Sequence, residues 1–378
     1  MSDTGVTGTE NPQRLRLSDE DFVRMLSLEG ELLDGAEPRI SDELALKAQE
    51  LMILVRALDD RMIKLQRQGR ISFHGTCSGE EAAVFGVATA LSEEDWVVPA
   101  LRQGAIMLYR GFSLVPFIAQ AFSNSGDITK GRNMPSHQAA ASVRQLSWSS
   151  CIANQLVQAV GIAKAMQVKG ESHACVGFIG DGGTSEGDFH VALNMAATWN
   201  VPLVIVCQNN QWAISVPLER QTLVTRIADK AEAYGMEGVR VDGNDLLAVH
   251  SVMSQALEKA RSGGGPTLVE ALTYRVGAHS TSDDPSRYRD ESITDAWRER
   301  DPLERLSRWL ESRGLRDGEG VKALEREAFL KVDAAVSEVE SLPPVAHETL
   351  IEDVFAEPTQ ELLRQWRDWS PHPPAATH

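Results

Sequence analysis

The sequence predicts an α/β fold: a parallel sheet with helices on both faces and helical extensions at the N- and C-terminal sides. Three observations carry this. Between about residues 70 and 275, short β-rich apolar runs alternate with helical stretches, the pattern of strands joined by crossover helices. The apolar run 174–179 leads into Gly180-Asp181-Gly182, and a second run, 201–207, delivers Asn209-Asn210. Outside this block the periodicity is helical. Leu44, Ala48, Leu51, Val55, Leu58, Met62 and Leu65 share one helical face, and the chain beyond about 292 is helical and heavily charged.

Taken in order, residues 1–40 read as an arm with little core of its own. Ser41-Asp42-Glu43 opens a helix with acidic residues in its first turn, and Gly69 stops it. The α/β domain is expected over 41–290, with strands at 96–98, 174–179, 201–207, 238–242 and 267–273 and helices at 152–168 and 186–199. A helical C-terminal region spans 291–369. The proline-rich 370–378 reads as a disordered tail. There is no internal repeat and no low-complexity segment.

A chain of 378 residues fits two or three average domains, or one large α/β domain with extensions. Its 42% apolar content can fill a sizeable core, and a net charge of −17 argues against nucleic acid and anionic membrane surfaces as partners. No apolar run is long enough to span a bilayer. Cys77, Cys151, Cys175 and Cys207 show no metal-ligand spacing, the usage of a reducing compartment. Met1 to Asn11 is acidic and polar, unlike a signal or transit peptide. A cytoplasmic location is the expectation.

The strand–turn–helix–strand segment carries the chemistry. It places the Asp181 carboxylate and the Asn210 amide at the C-terminal ends of two parallel strands, where open α/β sheets bind ligands. A lone carboxylate repels a diphosphate. With Mg²⁺ or Ca²⁺ between them, Asp181 and the Asn210 oxygen become hard oxygen ligands. Glycines let the backbone approach phosphate, and a helix starting near Ser185 offers free N–H groups to an anion. The alternative is an ordinary βα turn with an Asx cap.

This segment resembles the thiamin diphosphate motif. From about Asp21 to about Gln365 the chain resembles the α subunit of a 2-oxo acid dehydrogenase E1 component, most closely the branched-chain type. The specific pieces are Gln68-Gly69-Arg70-Ile71-Ser72-Phe73, Gly131-Arg132-Asn133-Met134-Pro135-Ser136-His137, Arg240-Val241-Asp242-Gly243-Asn244-Asp245 and the run Thr273 to Asp284. The resemblance implies a thiamin diphosphate-binding fold and a metal held by Asp181, Asn210 and the Trp212 carbonyl. It implies a cofactor site from Arg102, Ser150, Ile152, Gly180, Asp181, Gly182, Gly183, Gln208, Asn210 and His279. His279 and His137 take catalytic places, and Phe73 borders the substrate side chain. Ser149, Asn154 and Gln155 match positions that hold K⁺ in some relatives, and Ser280 matches a position phosphorylated in animal relatives.

Leu101 and Gln208 depart from the family pattern, replacing an aromatic residue and an arginine that contact the diphosphate. Trp212 replaces a smaller aromatic, Ala278 stands where relatives often carry histidine, and His74 where an aromatic is common. The implied activity is oxidative decarboxylation of a branched-chain 2-oxo acid with Mg²⁺ and acyl transfer to lipoyl-E2. The chain shows no second strand–helix array to supply the carboxylate that activates the cofactor, so an α₂β₂ assembly with a β subunit is expected. A pyruvate- or acetoin-type E1 α subunit and a non-catalytic paralogue remain the alternatives.

Overall fold

Helix α1 (Asp42–Arg67) begins at its expected cap: the Ser41 side chain accepts from the Leu44 N–H at 3.2 Å. Asp42 and Glu43 lie at its positive end, Lys64 and Arg67 at its negative end. Gly69 takes φ +74° just past it, a conformation glycine adopts without strain. The computed structural model describes residues 22–369. The tail 370–378, Met1 to Asn11 and the rest of the arm up to residue 21 lie outside the described residues.

Later helices are α2 (Glu81–Ala90), α3 (Leu114–Phe122), α4 (Asn154–Lys169), α5 (Gly187–Trp199), α6 (Leu246–Arg261), α7 (Glu291–Arg298), α8 (Pro302–Ser312) and α9 (Gly318–Ser341). The strands of the main sheet are β1 (Trp96–Val98), β2 (Cys175–Gly180), β3 (Leu203–Asn209), β4 (Glu237–Asp242) and β5 (Thr267–Leu272), and a short antiparallel pair, Trp212–Ala213 with Val216–Pro217, stands apart from it. Strands β1 to β5 form one parallel sheet ordered β1-β2-β3-β5-β4. Each expected strand is present, with ends moved by a residue or two, the usual uncertainty of element boundaries.

Alternation along the strands builds two cores. Val176, Phe178, Val204 and Val206 face α1, α2 and α6, whereas Cys175, Ile179, Leu203, Ile205 and Cys207 face α4 and α5. Helices α4 and α5 precede β2 and β3 on one face. Strand β4 lies at the edge, and α6 returns over the opposite face to β5, as right-handed crossovers require. Helix α9 packs on α1 and α3. No helix among the described residues is long and apolar enough to cross a membrane. All four cysteines are unpaired.

Register fixes the working edge. Gly180 of β2 pairs with Gln208 of β3, and Asn209 with Leu272 of β5. Three strands therefore end side by side, and their following loops share one rim.

The segment after residue 21 is tied to the far edge. Val23 bridges Val241 of β4, donating to the Arg240 carbonyl at 2.9 Å and accepting from Asp242 N–H at 3.0 Å. Asp245 caps α6 by accepting from Leu247 and Ala248, and its other oxygen accepts from Met25 (2.8 Å) and Leu26 (2.6 Å). Arg305 of α8 joins these, bonding Asp242 at 2.8 Å and the Leu26 and Ser27 carbonyls while only 1% exposed. Replacing it leaves buried Asp245 without a cation and Asp242 with Arg24 alone. We expect Arg305→Leu to lower unfolding free energy by about 3–5 kcal/mol, read as a lower urea midpoint. A loss below about 1 kcal/mol would show the cluster to be incidental.

Candidate active site

Asp181 follows the last residue of β2. A 3₁₀ turn, Gly182–Ser185, comes next, and α5 starts only at Gly187. The α-helix expected near Ser185 is thus preceded by a tighter turn, because Glu186 is extended and breaks the helical run. The turn is close-packed. A Cβ on Gly182 would lie 2.5 Å from the Ala213 Cβ, and one on Gly183 2.6 Å from Ile179 Cγ1. At Gly180 a Cβ would meet no atom within 4 Å and would project into open space. That space belongs to a cavity of about 630 Å³ lined by Gly180 to Gly183 and Asn210, a size suited to a small-molecule cofactor.

The same cavity brings together Phe73, Arg102, His137, Ser149, Ser150, Ile152, Gln155, Gln208, Trp212 and His279. These come from six separated stretches of sequence, and the strand register is what assembles them. Asn154 and Ser280 are not in its wall. The Asn154 side-chain oxygen accepts from Gln158, one turn along α4. The Ser280 hydroxyl is buried and accepts from Ser282 N–H at 3.3 Å. Its loop is not loosely held: Arg289 donates to the carbonyls of Arg275, Val276 and Gly277, and Thr281 N–H donates to the His74 carbonyl.

The Asp181 carboxylate is 2% exposed and accepts from the neutral Gln221 amide at 2.8 Å. Burial pushes it up to about 6. An anion so poorly solvated is stabilised by a cation beside it, so its donor chemistry fits a divalent ion. The Asn210 Oδ1 accepts from Trp212 N–H at 3.2 Å, and its Nδ2 donates to Glu80. Among the described residues no three His, Cys, Asp or Glu side chains cluster as a metal site. The candidate donor set is one carboxylate with neutral oxygens.

Two expected cofactor residues are already engaged. Arg102 pairs through Nε with Glu80 at 3.0 Å and donates to the carbonyls of His279 (3.0 Å) and Thr76. Gln208 donates to Glu80 at 2.6 Å and accepts from Gln103 at 2.8 Å. Both ends of the Gln208 amide therefore meet protein groups.

The two histidines hold opposite tautomers. A carbonyl only accepts, so His137 Nδ1–H donates to Pro135 (3.0 Å), and Nε2 accepts the Ser150 hydroxyl proton (2.8 Å). Trp148 stacks on this ring at 3.8 Å. At His279, Nδ1 receives Arg275 Nη1 at 3.4 Å, which places the proton on Nε2. Burial, then Arg102 and Arg275, lower the His279 pKa to about 4. Sequence reasoning missed Glu80, Gln103, Arg275 and Trp148. No local pattern singled them out, because each acts through partners distant in sequence.

A lowered histidine pKa has a defined sign. Between pH 6.5 and about 4 the unfolded chain binds more protons at this residue than the folded chain, so stability is lost as pH falls through that window. We expect the His279 imidazole to stay neutral at pH 5.5 in the cofactor-free chain, read by nitrogen NMR. His279→Asn should lose less stability than wild type between pH 7 and 5.

Comparisons with known proteins agree with this geometry. The family model described as the dehydrogenase E1 component matches residues 49–348. The chain is 44% identical over 266 residues to the 3-methyl-2-oxobutanoate dehydrogenase subunit alpha of Mycobacterium tuberculosis, covering 70% of each. It is 36% identical over 353 residues to the human mitochondrial 2-oxoisovalerate dehydrogenase subunit alpha, covering 93% of this chain and 79% of that one. It is 41% identical over 314 residues to the Arabidopsis thaliana mitochondrial 2-oxoisovalerate dehydrogenase subunit alpha 2, covering 82% of this chain and 66% of the plant protein, just under two thirds of its length. The chain therefore belongs to the dehydrogenase E1 component family, among the α subunits of its branched-chain 2-oxo acid dehydrogenase type.

Proposed function

We propose that this chain is the α subunit of a thiamin diphosphate-dependent E1 enzyme that oxidatively decarboxylates a branched-chain 2-oxo acid. One observation carries the reading: a glycine cradle, a buried carboxylate and a held amide share one cavity at the ends of β2 and β3. Family membership implies thiamin diphosphate, and relatives named as alpha subunits imply a β partner. Mg²⁺ held by Asp181, Asn210 and the Trp212 carbonyl is our proposal, as is acyl transfer to a lipoyl group on E2. Half-exposed Ile152 and Ile214 at the cavity support closure by the partner subunit.

Thiamin diphosphate supplies a nucleophilic carbon and an electron sink for loss of CO₂ from a 2-oxo acid. The protein's residues prepare that chemistry. Gly180, Gly182 and Gly183 let backbone approach phosphate closely. His279 is neutral and presents an N–H at Nε2, a donor to an oxyanion or phosphate oxygen. Ser150 and His137 form a pair able to pass a proton between Oγ and Nε2. Phe73, Leu101, Met134 and Trp148 give the cavity an apolar wall, which excludes water and suits a branched aliphatic side chain. K⁺ near Ser149 and Gln155 is supported by the buried Gln155 Oε1, which has no hydrogen-bond partner.

Specific contacts also favour the second reading, a non-catalytic paralogue: Gln208 and much of Arg102 are spent on protein groups. Calorimetric titration of thiamin diphosphate with Mg²⁺ into the α/β complex separates the two. We expect saturable binding, and Asp181→Ala should weaken it by more than about 100-fold, beyond the loss typical of outer-shell changes. No saturable binding to wild type selects the paralogue. A panel of 2-oxo acids with the β subunit should favour 3-methyl-2-oxobutanoate over pyruvate, and equal rates would remove the branched-chain assignment.

A further inference from the structure

Glu80 occupies the N-cap position of α2, yet its side chain makes no bond to that helix. It is fully buried and turned into the cofactor cavity. Three side chains converge on its carboxylate: Arg102 Nε at 3.0 Å, Gln208 Nε2 at 2.6 Å and Asn210 Nδ2 at 3.1 Å and 3.2 Å to its two oxygens. Burying a carboxylate beside a diphosphate site is costly electrostatically, and Arg102 offsets only part of that. The carboxylate therefore calls for a task besides charge balance.

We infer that Glu80 is a positioning residue that holds the Asn210 amide with its oxygen turned away from Glu80 and available to a divalent ion. An amide has two chemically opposite ends, and a flip would present N–H donors where an oxygen ligand is needed. A carboxylate only accepts. It fixes the amide by chemistry, because the NH₂ end alone can face it. The Trp212 N–H bond to Oδ1 agrees with the same orientation, but a metal competes for that oxygen. Glu80 acts on the opposite end, where no ligand competes. The same carboxylate aims Gln208 and Arg102, so one group sets three side chains at the ends of β1 and β3. This inference rests on the proposed metal–diphosphate site.

The test uses the assembled α/β complex with thiamin diphosphate. The readouts are the Mg²⁺ concentration for half-saturation, by calorimetry, and Mn²⁺ binding, by electron paramagnetic resonance. Glu80→Gln keeps the shape but can both donate and accept, so either amide orientation becomes allowed. We expect its Mg²⁺ requirement to rise at least tenfold with assembly intact, and Glu80→Asp, which remains an acceptor, to stay within threefold of wild type. Asn210→Asp has oxygens at both ends and nothing to orient. In that background Glu80→Gln should be neutral or favourable, the non-additivity of a coupled pair. An unchanged Mg²⁺ requirement in Glu80→Gln, an equal penalty in Glu80→Asp, or the same penalty in the Asn210→Asp background would each overturn the inference. Loss of assembly in Glu80→Gln alone would make Glu80 a folding residue and overturn it equally. Absence of cofactor binding in wild type is a different result, and it overturns the proposed function itself.

Discussion

Parallel pairing of β2 with β3 and of β3 with β5 is the constraint on which the site depends. A parallel sheet cannot slip by one residue without turning every core side chain to the wrong face. Val204 and Val206 on one side, and Leu203, Ile205 and Cys207 on the other, therefore lock the register. Once locked, Gly180, Gln208 and Leu272 must end together. Asp181, Asn210 and the loop to His279 are carried to one rim as a consequence of core packing far from them.

Charge at that rim is arranged in layers. Two carboxylates are buried, Asp181 and Glu80, and two guanidiniums, Arg102 and Arg275, stand near His279. Burial, and after it the guanidiniums, keep the histidine neutral, while Arg102 spans Glu80 and the His279 carbonyl. The positive groups are thus committed to shaping the loop. Asp181 is paired only with an amide and carries the burden of desolvation that a cation relieves.

Most of the fold was legible because each strand is a short apolar run bounded by turn residues, and α1 carries both its cap and its stripe. The placement of Asp181 and Asn210 in one cavity was legible for the same reason, both being attached to strand ends. What the sequence concealed were groups whose role is set by convergence. Glu80 looks like the start of α2, Arg275 like one residue of a polar loop, and Trp148 like any aromatic before a helix. Asn210 lies 130 positions from Glu80, Tyr288 13 from Arg275 and Ser136 12 from Trp148, and no local pattern reports such pairings. The replacement at Gln208 read as a lost phosphate contact. In the fold it is a link between Glu80 and Gln103.

The strip from Val23 to Leu26 lies against β4 and under α8, and its long-range partners are residues 217 to 279 positions further along. On the ribosome this segment emerges before its partners and must wait until β4, α6 and α8 have been made. Contacts of such sequence separation form late and slow folding. Until α8 arrives, the strip lies on the edge of β4 without Arg305, which ties the Leu26 and Ser27 carbonyls to Asp242. The seam between this strip and β4 is therefore completed only when translation delivers Arg305.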